Sequence, residues 1–302
     1  MPGRQPPVPP HFLRLSDLDG DGLKALLGLA ARMKERPHGF VEALRGETLV
    51  CFFEKPSTRT RLSFAAAAER LGMLPVVLGP ADLQLGRGES LEDTARTFAG
   101  YAAAIVVRTF AQETVERIAA VSRVPVVNAL TDDHHPCQAL ADLLTLRERF
   151  GRLEGLRLAF VGDFDNVAVS LAEAASLTGL RVTVACPPGY ERDTPATRVV
   201  HDPVEAVGGA DAVYTDVWVS MGDEADREVR MRDLRPFQVD GTLMAHASPN
   251  AVFMHCLPAH RGEEVTADVI DGPRSIVWEQ AENRLPTEEA LLLALVAQRW
   301  EV

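Results

Sequence analysis

Short apolar runs alternate along the whole chain with longer stretches in which apolar residues recur every three or four positions. In the first half, the continuous runs predict β-strands over 48–53, 74–78, 104–108 and 125–127. The periodic stretches between them predict helices over 17–34, 58–71, 90–100 and 113–120. Strands joined through helices by short loops are typical of a parallel sheet covered on both faces.

The second half repeats this alternation. Strands are predicted over 157–161, 181–185, 211–214 and 252–255, and helices over 166–178, 202–209 and 287–300, with a bridging helix from Pro136 to Gly151. The predicted fold class is α/β, with two doubly wound parallel-sheet domains joined by bridging helices. The predicted limits are 1–133 for the first domain, 134–285 for the second, and 286–302 for a C-terminal helix that returns to the first.

The charge of the chain narrows the classes of partner. The 302 residues suffice for two domains, and their formal net charge of -12 argues against nucleic acid or an anionic membrane as a partner. A local cluster of arginines is therefore more informative here than on a basic protein.

The N-terminal segment and the cysteines both favour a cytoplasmic location. The proline-rich segment 1–10 has no apolar core, so neither a signal peptide nor a membrane anchor is expected there, and a cytoplasmic protein is predicted. Four widely spaced cysteines without a Cys-x-x-Cys pair predict free thiols in a reduced compartment: Cys51, Cys137, Cys186 and Cys256.

Hydroxyl and arginine side chains cluster where the helix after the first strand begins. Ser57, Thr58, Arg59, Thr60 and Arg61 follow one another there. A helix N-terminus presents unpaired backbone N–H groups, and guanidinium groups add charge, so this segment predicts a site for a phosphate or a similar anion. The alternative is that the serine only caps the helix and the arginines are solvated. The run is not a P-loop, because the turn is built from proline and lacks its glycines.

Other strand ends in the first half carry polar residues. Arg108 ends a strand at the same sheet edge and is a candidate for the anion site, although such an arginine is often only solvated. His135 precedes Pro136 and is predicted to be extended, so that it and Gln138 face the same crevice, where an imidazole can polarise a carbonyl. A solvated surface histidine is the alternative.

In the second half, two loops are candidates for binding an amino acid. Asn166 begins a helix, where it is either a ligand or simply the N-cap. The loop 216–222 combines Asp216 and Ser220 with a terminal glycine, a set that suits an ammonium and a carboxylate, although an ordinary acidic loop is possible. The histidines and cysteine of 255–260 lack a second ligand pair at zinc spacing, and Gly162 lacks the later glycines of a dinucleotide fingerprint.

Four segments carry a resemblance when they are taken together: Phe53 to Arg61, His135 to Gln138, Asp216 to Gly222 and His255 to Pro258. They occur in one order over nearly the whole chain and resemble the aspartate/ornithine carbamoyltransferase family. Ser-Thr-Arg-Thr-Arg and His-Pro-x-Gln are similar to transcarbamoylases generally. The Ser-Met-Gly loop and His-Cys-Leu-Pro resemble those members that act on ornithine.

The resemblance implies a transferase that moves the carbamoyl group of carbamoyl phosphate to the δ-amine of L-ornithine, giving L-citrulline and phosphate in an interdomain cleft. The first domain would bind carbamoyl phosphate and the second ornithine. The implied carbamoyl-phosphate ligands are Ser57, Thr58, Arg59, Thr60, Gln84, Arg108, His135, Gln138, Cys256, Leu257 and Arg284. The implied ornithine ligands are Asn166, Asp216, Ser220 and Met221. The implied catalytic residues are Arg59, Arg108, His135, Gln138, Asp216 and Cys256, with a cis peptide bond between Leu257 and Pro258.

The resemblance also changes the interpretation of the polar loop 79–91, which alone predicts a mobile surface connection. It implies a homotrimer in which this loop carries Gln84 into the active site of a neighbouring subunit. Asp165 departs from the family pattern, in which many members have asparagine beside Asn166, and this puts a second amide contact to the ornithine carboxylate in doubt.

No metal or organic cofactor is expected, because the phosphate leaving group is already activated. A role in arginine biosynthesis is expected. Two alternatives remain open: a carbamoyltransferase for another amine, such as putrescine, an acylated ornithine or aspartate, and a non-catalytic anion-binding homologue.

Overall fold

The computed structural model describes residues 6–194, 197–220, 222 and 224–300. The chain divides into two compact units. The first consists of Met1–Leu144 with Asn283–Val302, and the second of Thr145–Glu282. Among the described residues, no helix is both long enough and apolar enough to cross a membrane.

The first unit alternates helices and strands as the sequence pattern predicts. Its elements up to the unit boundary are α1 (Gly20–Glu35), β1 (Thr48–Phe53), α2 (Arg59–Arg70), β2 (Leu74–Leu78), α3 (Leu91–Tyr101), β3 (Ala104–Arg108), α4 (Gln112–Val121), β4 (Val126–Leu130) and α5 (Pro136–Phe150), which continues into the second unit. The strands form one parallel sheet in the order β2-β1-β3-β4. The predicted parallel sheet is confirmed.

The register of this sheet brings two candidate segments together. Phe53 at the end of β1 is paired with Arg108 at the end of β3, and the Glu54 N–H donates to the Arg108 carbonyl at 2.8 Å. The turn after β1, which leads to Ser57, therefore starts beside Arg108. The expectation that these strand ends share one sheet edge is confirmed.

The second unit is a five-stranded parallel sheet flanked by helices. Its elements are β5 (Arg157–Val161), α6 (Asn166–Thr178), β6 (Arg181–Ala185), β7 (Arg198–Val200), α7 (Pro203–Val207), β8 (Ala212–Thr215), α8 (Arg227–Leu234), α9 (Gly241–Met244), β9 (Val252–His255), α10 (Ala267–Ile270) and α11 (Val277–Glu282). The strand order is β7-β6-β5-β8-β9. The chain adds strands to one side of β5 and then to the other, so β5 and β8 flank a topological switch point, where ligands of such sheets commonly bind.

The last helix, α12 (Arg284–Ala297), belongs to the first unit. It packs against α1 and α2 and is buried over most of its length, including the run Leu291–Leu295. A helix enclosed on several faces needs apolar residues around its circumference, which this run provides. The helix begins three residues earlier than the sequence pattern predicts, at Arg284, and this brings that side chain into the first unit's interior.

Candidate active site

In the first unit, the candidate anion site is the turn between β1 and α2. The helix begins at Arg59, and the Thr60 N–H donates to Ser57 Oγ at 3.3 Å. Thr58 is the N-cap, and Ser57, one residue before it, accepts from an N–H of the first turn, which resembles the capping role of the alternative interpretation. Capping does not account for the neighbours, because Thr60 is buried and Arg59 is half-buried instead of solvated. Arg61 lies outside, exposed above the Phe53 ring with 5.7 Å between the guanidinium carbon and the ring centroid.

A buried hydrogen-bond network joins this turn to two other predicted site residues. Arg284 is only 3% exposed; its Nη1 donates to Gln138 Oε1 at 2.9 Å, and its Nη2 donates to Thr60 Oγ1 at 3.2 Å. Glu288, one turn along α12, accepts from Arg284 Nη2 at 2.6 Å and pairs with its charge. The guanidinium thus links the start of α2, α5 and α12.

The partners of Gln138 fix the orientation of its amide. Its Nε2 donates to Asp142 Oδ1 at 2.9 Å, while its Oε1 accepts from Arg284. An amide oxygen has two lone pairs, so Oε1 retains the capacity to accept a hydrogen bond from the NH₂ group of a ligand. This arrangement suits a small molecule that ends in an amide.

His135 lies at the N-terminus of α5 and is buried. Burial lowers its pKa well below the usual range, and the positive charges of Arg284, Arg108 and Arg59 lower it further. The imidazole is therefore neutral at neutral pH and can donate one hydrogen bond without carrying a charge. The same charges show that four of the predicted residues share one electrostatic environment.

Gln84 has different surroundings. It is exposed, and its Oε1 accepts from Arg87 Nη1 at 3.1 Å within the loop. The loop has two short turns of 3₁₀ helix, Pro80–Asp82 and Leu85–Arg87. The contact with Arg87 lies within the loop itself, and the role of Gln84 in a neighbouring subunit stays a prediction.

In the second unit, α6 is capped by Asp165 and not by Asn166. Asp165 Oδ1 accepts from the Val167 and Ala168 N–H groups at 2.9 and 3.0 Å. The capping interpretation of Asn166 is therefore wrong: the asparagine is the first helical residue, and its side chain is half-buried. The departure from the family pattern thus has a structural role.

The carboxyl group of Asp165 is in a strongly acidic environment. It is buried, and burial raises its pKa well above the usual range, with the negative charges of Asp216 and Asp163 raising it further. Asp163 in turn forms an ion pair with Arg230. Asp165 therefore holds its proton more readily than an ordinary aspartic acid does.

The ends of β8 and β9 bring two further predicted residues into contact. Cys256 Sγ donates to Asp216 Oδ1 at 2.9 Å, and that oxygen also accepts from the Val217 N–H at 2.7 Å. Asp216 is nearly buried and Cys256 is half-buried. A carboxylate in such a place can bind an ammonium group.

Three more predicted residues lie nearby in the chain. Leu257 has a positive φ of 59°, and the Leu257–Pro258 peptide bond is cis, as the resemblance implies. Ser220 is half-buried at the end of the loop after β8, whereas Met221 lies outside the described residues.

Asp216, His255 and Cys256 present ligand atoms within 4.8 Å of one another, a spacing that would permit a metal ion. Both nitrogens of His255 are already engaged. Nδ1 accepts from the Leu257 N–H at 2.8 Å, and Nε2 lies 3.3 Å from Glu264 Oε1. A metal bound by this histidine would have to displace one of these contacts.

The sequence reasoning missed two buried carboxylates. Asp142 and Glu288 each lie four residues after a predicted site residue, on the same face of its helix. The spacing i,i+4 is the signal that links them to Gln138 and Arg284.

Comparison with known proteins matches both units to one family. The carbamoyl-P binding domain of aspartate/ornithine carbamoyltransferase matches residues 10–148, and the Asp/Orn binding domain matches residues 154–295. An ornithine carbamoyltransferase from Parafrankia sp. (strain EAN1pec) is 50% identical over 95% of this chain and 96% of its own length.

Solved structures agree. The crystal structure of ornithine carbamoyltransferase from Thermus thermophilus is 46% identical with a TM-score of 0.89, covering 96% of this chain and 99% of that one. The structure from Pyrococcus furiosus is 46% identical with a TM-score of 0.90, covering 95% and 97%. On this likeness over nearly its whole length, and with the motif residues gathered as described, the chain belongs to the aspartate/ornithine carbamoyltransferase family.

Proposed function

We propose that the protein transfers the carbamoyl group of carbamoyl phosphate to the δ-amine of L-ornithine, yielding L-citrulline and phosphate. The observation that carries this function is the buried guanidinium of Arg284, held against Gln138 and Thr60 beside the neutral His135. This set offers charge for a phosphate and hydrogen-bonding groups for an amide on one side of a single unit. Two relatives that are 50% and 48% identical over nearly the whole chain are named ornithine carbamoyltransferase.

Carbamoyl phosphate is assigned to the first unit. Its phosphate is held by the N-terminus of α2 through Ser57, Thr58, Arg59 and Thr60, where backbone N–H groups and the helix dipole favour an anion. Its carbamoyl end is held by Arg108, His135, Gln138 and Arg284, with the Gln138 oxygen accepting from the carbamoyl NH₂ group. The neutral His135 donates to the carbonyl oxygen.

Ornithine is assigned to the second unit. Asp216 binds its α-ammonium group, while Asn166, Ser220 and Met221 hold its α-carboxylate and chain. Cys256 and Leu257 lie beside the reacting δ-amine and the carbamoyl group. The Asp216–Cys256 contact supports this grouping, since it joins the ends of β8 and β9 at one sheet edge.

The proposed reaction is a direct acyl transfer. The neutral δ-nitrogen attacks the carbonyl carbon and the new C–N bond forms. The C–O bond to phosphate breaks, and the proton that the amine loses passes to the departing phosphate. Arg59, Arg108 and His135 stabilise the oxygen that gains negative charge and the departing phosphate by donors already in position. Binding both substrates also removes the entropic cost of their encounter. The step requires neither a metal nor an organic cofactor, because phosphate is the leaving group.

The decisive assay measures citrulline formed by the purified full-length protein from carbamoyl phosphate and L-ornithine. Putrescine, N-acetylornithine and aspartate serve as competing acceptors, and ornithine is expected to give the highest kcat/KM. Well-folded protein that forms no carbamoylated product from any of them would support the non-catalytic alternative instead.

Arg59→Ala tests the phosphate assignment. Loss of one charged donor to the transition state is expected to lower kcat by about 10²-fold or more. Arg61→Ala is the matched comparison: that arginine is the exposed neighbour above the Phe53 ring and is expected to cost far less. Equal losses in the two variants would contradict the assignment.

The remaining assignments concern the cell and the assembly. A homotrimer, with Gln84 of one subunit completing the carbamoyl-phosphate site of the next, explains why that residue is exposed in the chain itself. A cytoplasmic location and a role in arginine biosynthesis fit the reaction, because citrulline formation is a step from ornithine toward that amino acid.

A further inference from the structure

One buried carboxylate holds the turn that follows β9. Glu264 is fully buried, and its Oε1 lies 3.3 Å from His255 Nε2. The same oxygen accepts a hydrogen bond from the backbone N–H of His260. The Glu264 main chain is fixed as well, because its carbonyl accepts from the Val239 N–H at 2.9 Å. Glu264 therefore ties both ends of the segment 255–260 to the core of the second unit.

The contacts of His255 determine which ring nitrogen carries the proton. The Leu257 N–H lies 2.8 Å from Nδ1, and because an amide N–H only donates, Nδ1 must present a lone pair. The ring proton is then on Nε2, which donates it to Glu264. A carboxylate that accepts from one ring nitrogen selects the tautomer of the whole ring.

The tautomer of His255 matters because its Nδ1 atom accepts the hydrogen bond from the Leu257 backbone. Leu257 has a left-handed backbone, with φ of 59°, a conformation that a non-glycine residue keeps only when its surroundings enforce it. The hydrogen bond from the Leu257 N–H to His255 Nδ1 is such a constraint. Cys256 lies between these two residues, and its thiol donates to Asp216 at 2.9 Å.

We propose that Glu264 is a positioning residue for carbamoyl transfer. By selecting the Nε2–H tautomer of His255, it fixes the backbone of Leu257 and so places the Cys256 thiol against Asp216 in the ornithine half of the site. The inference rests on the proposed function for its kinetic consequence, but the tautomer itself does not depend on any activity.

The first test is nitrogen NMR of the folded protein labelled with ¹⁵N-histidine, with the His255 signal assigned by its loss in His255→Asn. The expected spectrum shows a neutral ring protonated on Nε2. A ring protonated on Nδ1, or on both nitrogens, would overturn the proposal even if no Glu264 variant could be purified.

The second test is kinetic. Glu264→Leu removes the acceptor and is expected to lower kcat/KM for ornithine about tenfold or more, the size of effect that loss of the carboxylate partner of a histidine has at metal sites. The KM for carbamoyl phosphate is expected to change less, since Cys256 and Leu257 are the ligands assigned to it from the second unit and the others lie in the first. Glu264→Gln keeps an acceptor oxygen, so its kcat/KM for ornithine is expected to stay much closer to that of the unmodified protein than the value for Glu264→Leu does. Glu263→Leu is the matched control, because that carboxylate pairs with Arg227 instead.

A double-mutant cycle separates positioning from general stability. In His255→Asn the ring is absent, so adding Glu264→Leu is expected to cost little further in kcat/KM for ornithine. An equal cost with and without the ring, or a loss shared equally by both substrates and matching the folded fraction, would show that Glu264 is only structural. Absence of citrulline formation in the unmodified protein would instead refute the proposed function and leave the NMR result intact.

Discussion

Asp165 is a residue whose two roles can be separated by one atom. Its carboxyl caps α6, and burial together with Asp216 and Asp163 raises its pKa well above the usual range. A carboxyl whose pKa is raised in the folded state contributes to the stability of the fold while it is protonated. This contribution is lost as pH rises through that pKa. Ionised Asp165 would also repel a bound α-carboxylate.

Asp165→Asn is expected to keep the cap and remove the titration. The KM for ornithine of the unmodified protein is expected to rise more steeply toward alkaline pH than that of the variant, as steady-state kinetics across pH would measure. Asp202→Asn, which alters an exposed helix cap at α7, is the control. Identical pH profiles for the unmodified protein and Asp165→Asn would contradict the argument from the raised pKa of Asp165.

At this scale the sequence predicted residue types better than partners. The run after β1 identified Ser57 to Arg61 as a helix start, because hydroxyls and arginines at an N-terminus have a local meaning. It did not distinguish half-buried Arg59 from exposed Arg61, which depends on tertiary packing. The contact of Arg284 with Gln138 joins residues 146 positions apart, and only the resemblance pointed to it.

Among the elements, α12 is unusual because it places acidic side chains in the core. Glu289 is fully buried, and burial raises its pKa to about 7, an effect that the nearby Arg70 reduces. Because this folded pKa lies above the unfolded value, the folded state binds more protons between these values. The stability contributed by the protonated acid is lost as pH rises through 7.

Glu289→Gln is therefore expected to flatten the pH dependence of stability. Between pH 5 and pH 8, the free energy of unfolding of the unmodified protein should fall by about 2 kcal/mol more than that of the variant. Urea denaturation at several pH values measures the difference. Glu69→Gln, on the exposed face of α2, is the control, and parallel curves for the unmodified protein and Glu289→Gln would contradict the argument.

Long periodic elements were predicted with nearly correct limits, and short polar ones were not. The strands β1, β2, β3, β5, β6 and β9 lie where the apolar runs predicted them, because buried parallel strands are continuous apolar segments. The helix α8 has no apolar stripe and depends on its packing, so the pattern of apolar residues did not predict it. The start of α12 was placed three residues late, although a proline such as Pro286 is well tolerated in the first turn of a helix.

For the whole molecule, the proposed function divides the two substrates between the two units. Each parallel sheet presents its predicted ligands at the carboxyl ends of neighbouring strands, which follows from the strand order of each unit. The predicted limits of the domains and the cleft in which the substrates meet stay predictions.

Sharing of sites between subunits predicts complementation. Gln84→Ala and Arg59→Ala are each expected to be nearly inactive. Subunits of the two variants, mixed equally and reassembled, are expected to regain about one quarter of the unmodified activity, because a cyclic trimer then contains some sites with both residues intact. Activity of the mixture equal to the mean of the separate variants would contradict a shared site, and sedimentation analysis reports the assembly.

The four cysteines differ in a way that has a practical consequence. Cys51, Cys137 and Cys186 are buried, and burial raises the pKa of each thiol, whereas Cys256 is half-exposed. A maleimide dye added in equimolar amount to the native protein should therefore attach at one position, which peptide mass spectrometry can verify. Because that sulfur contacts Asp216, the unaltered chain already provides a single attachment point for a fluorescent reporter of amino-acid binding.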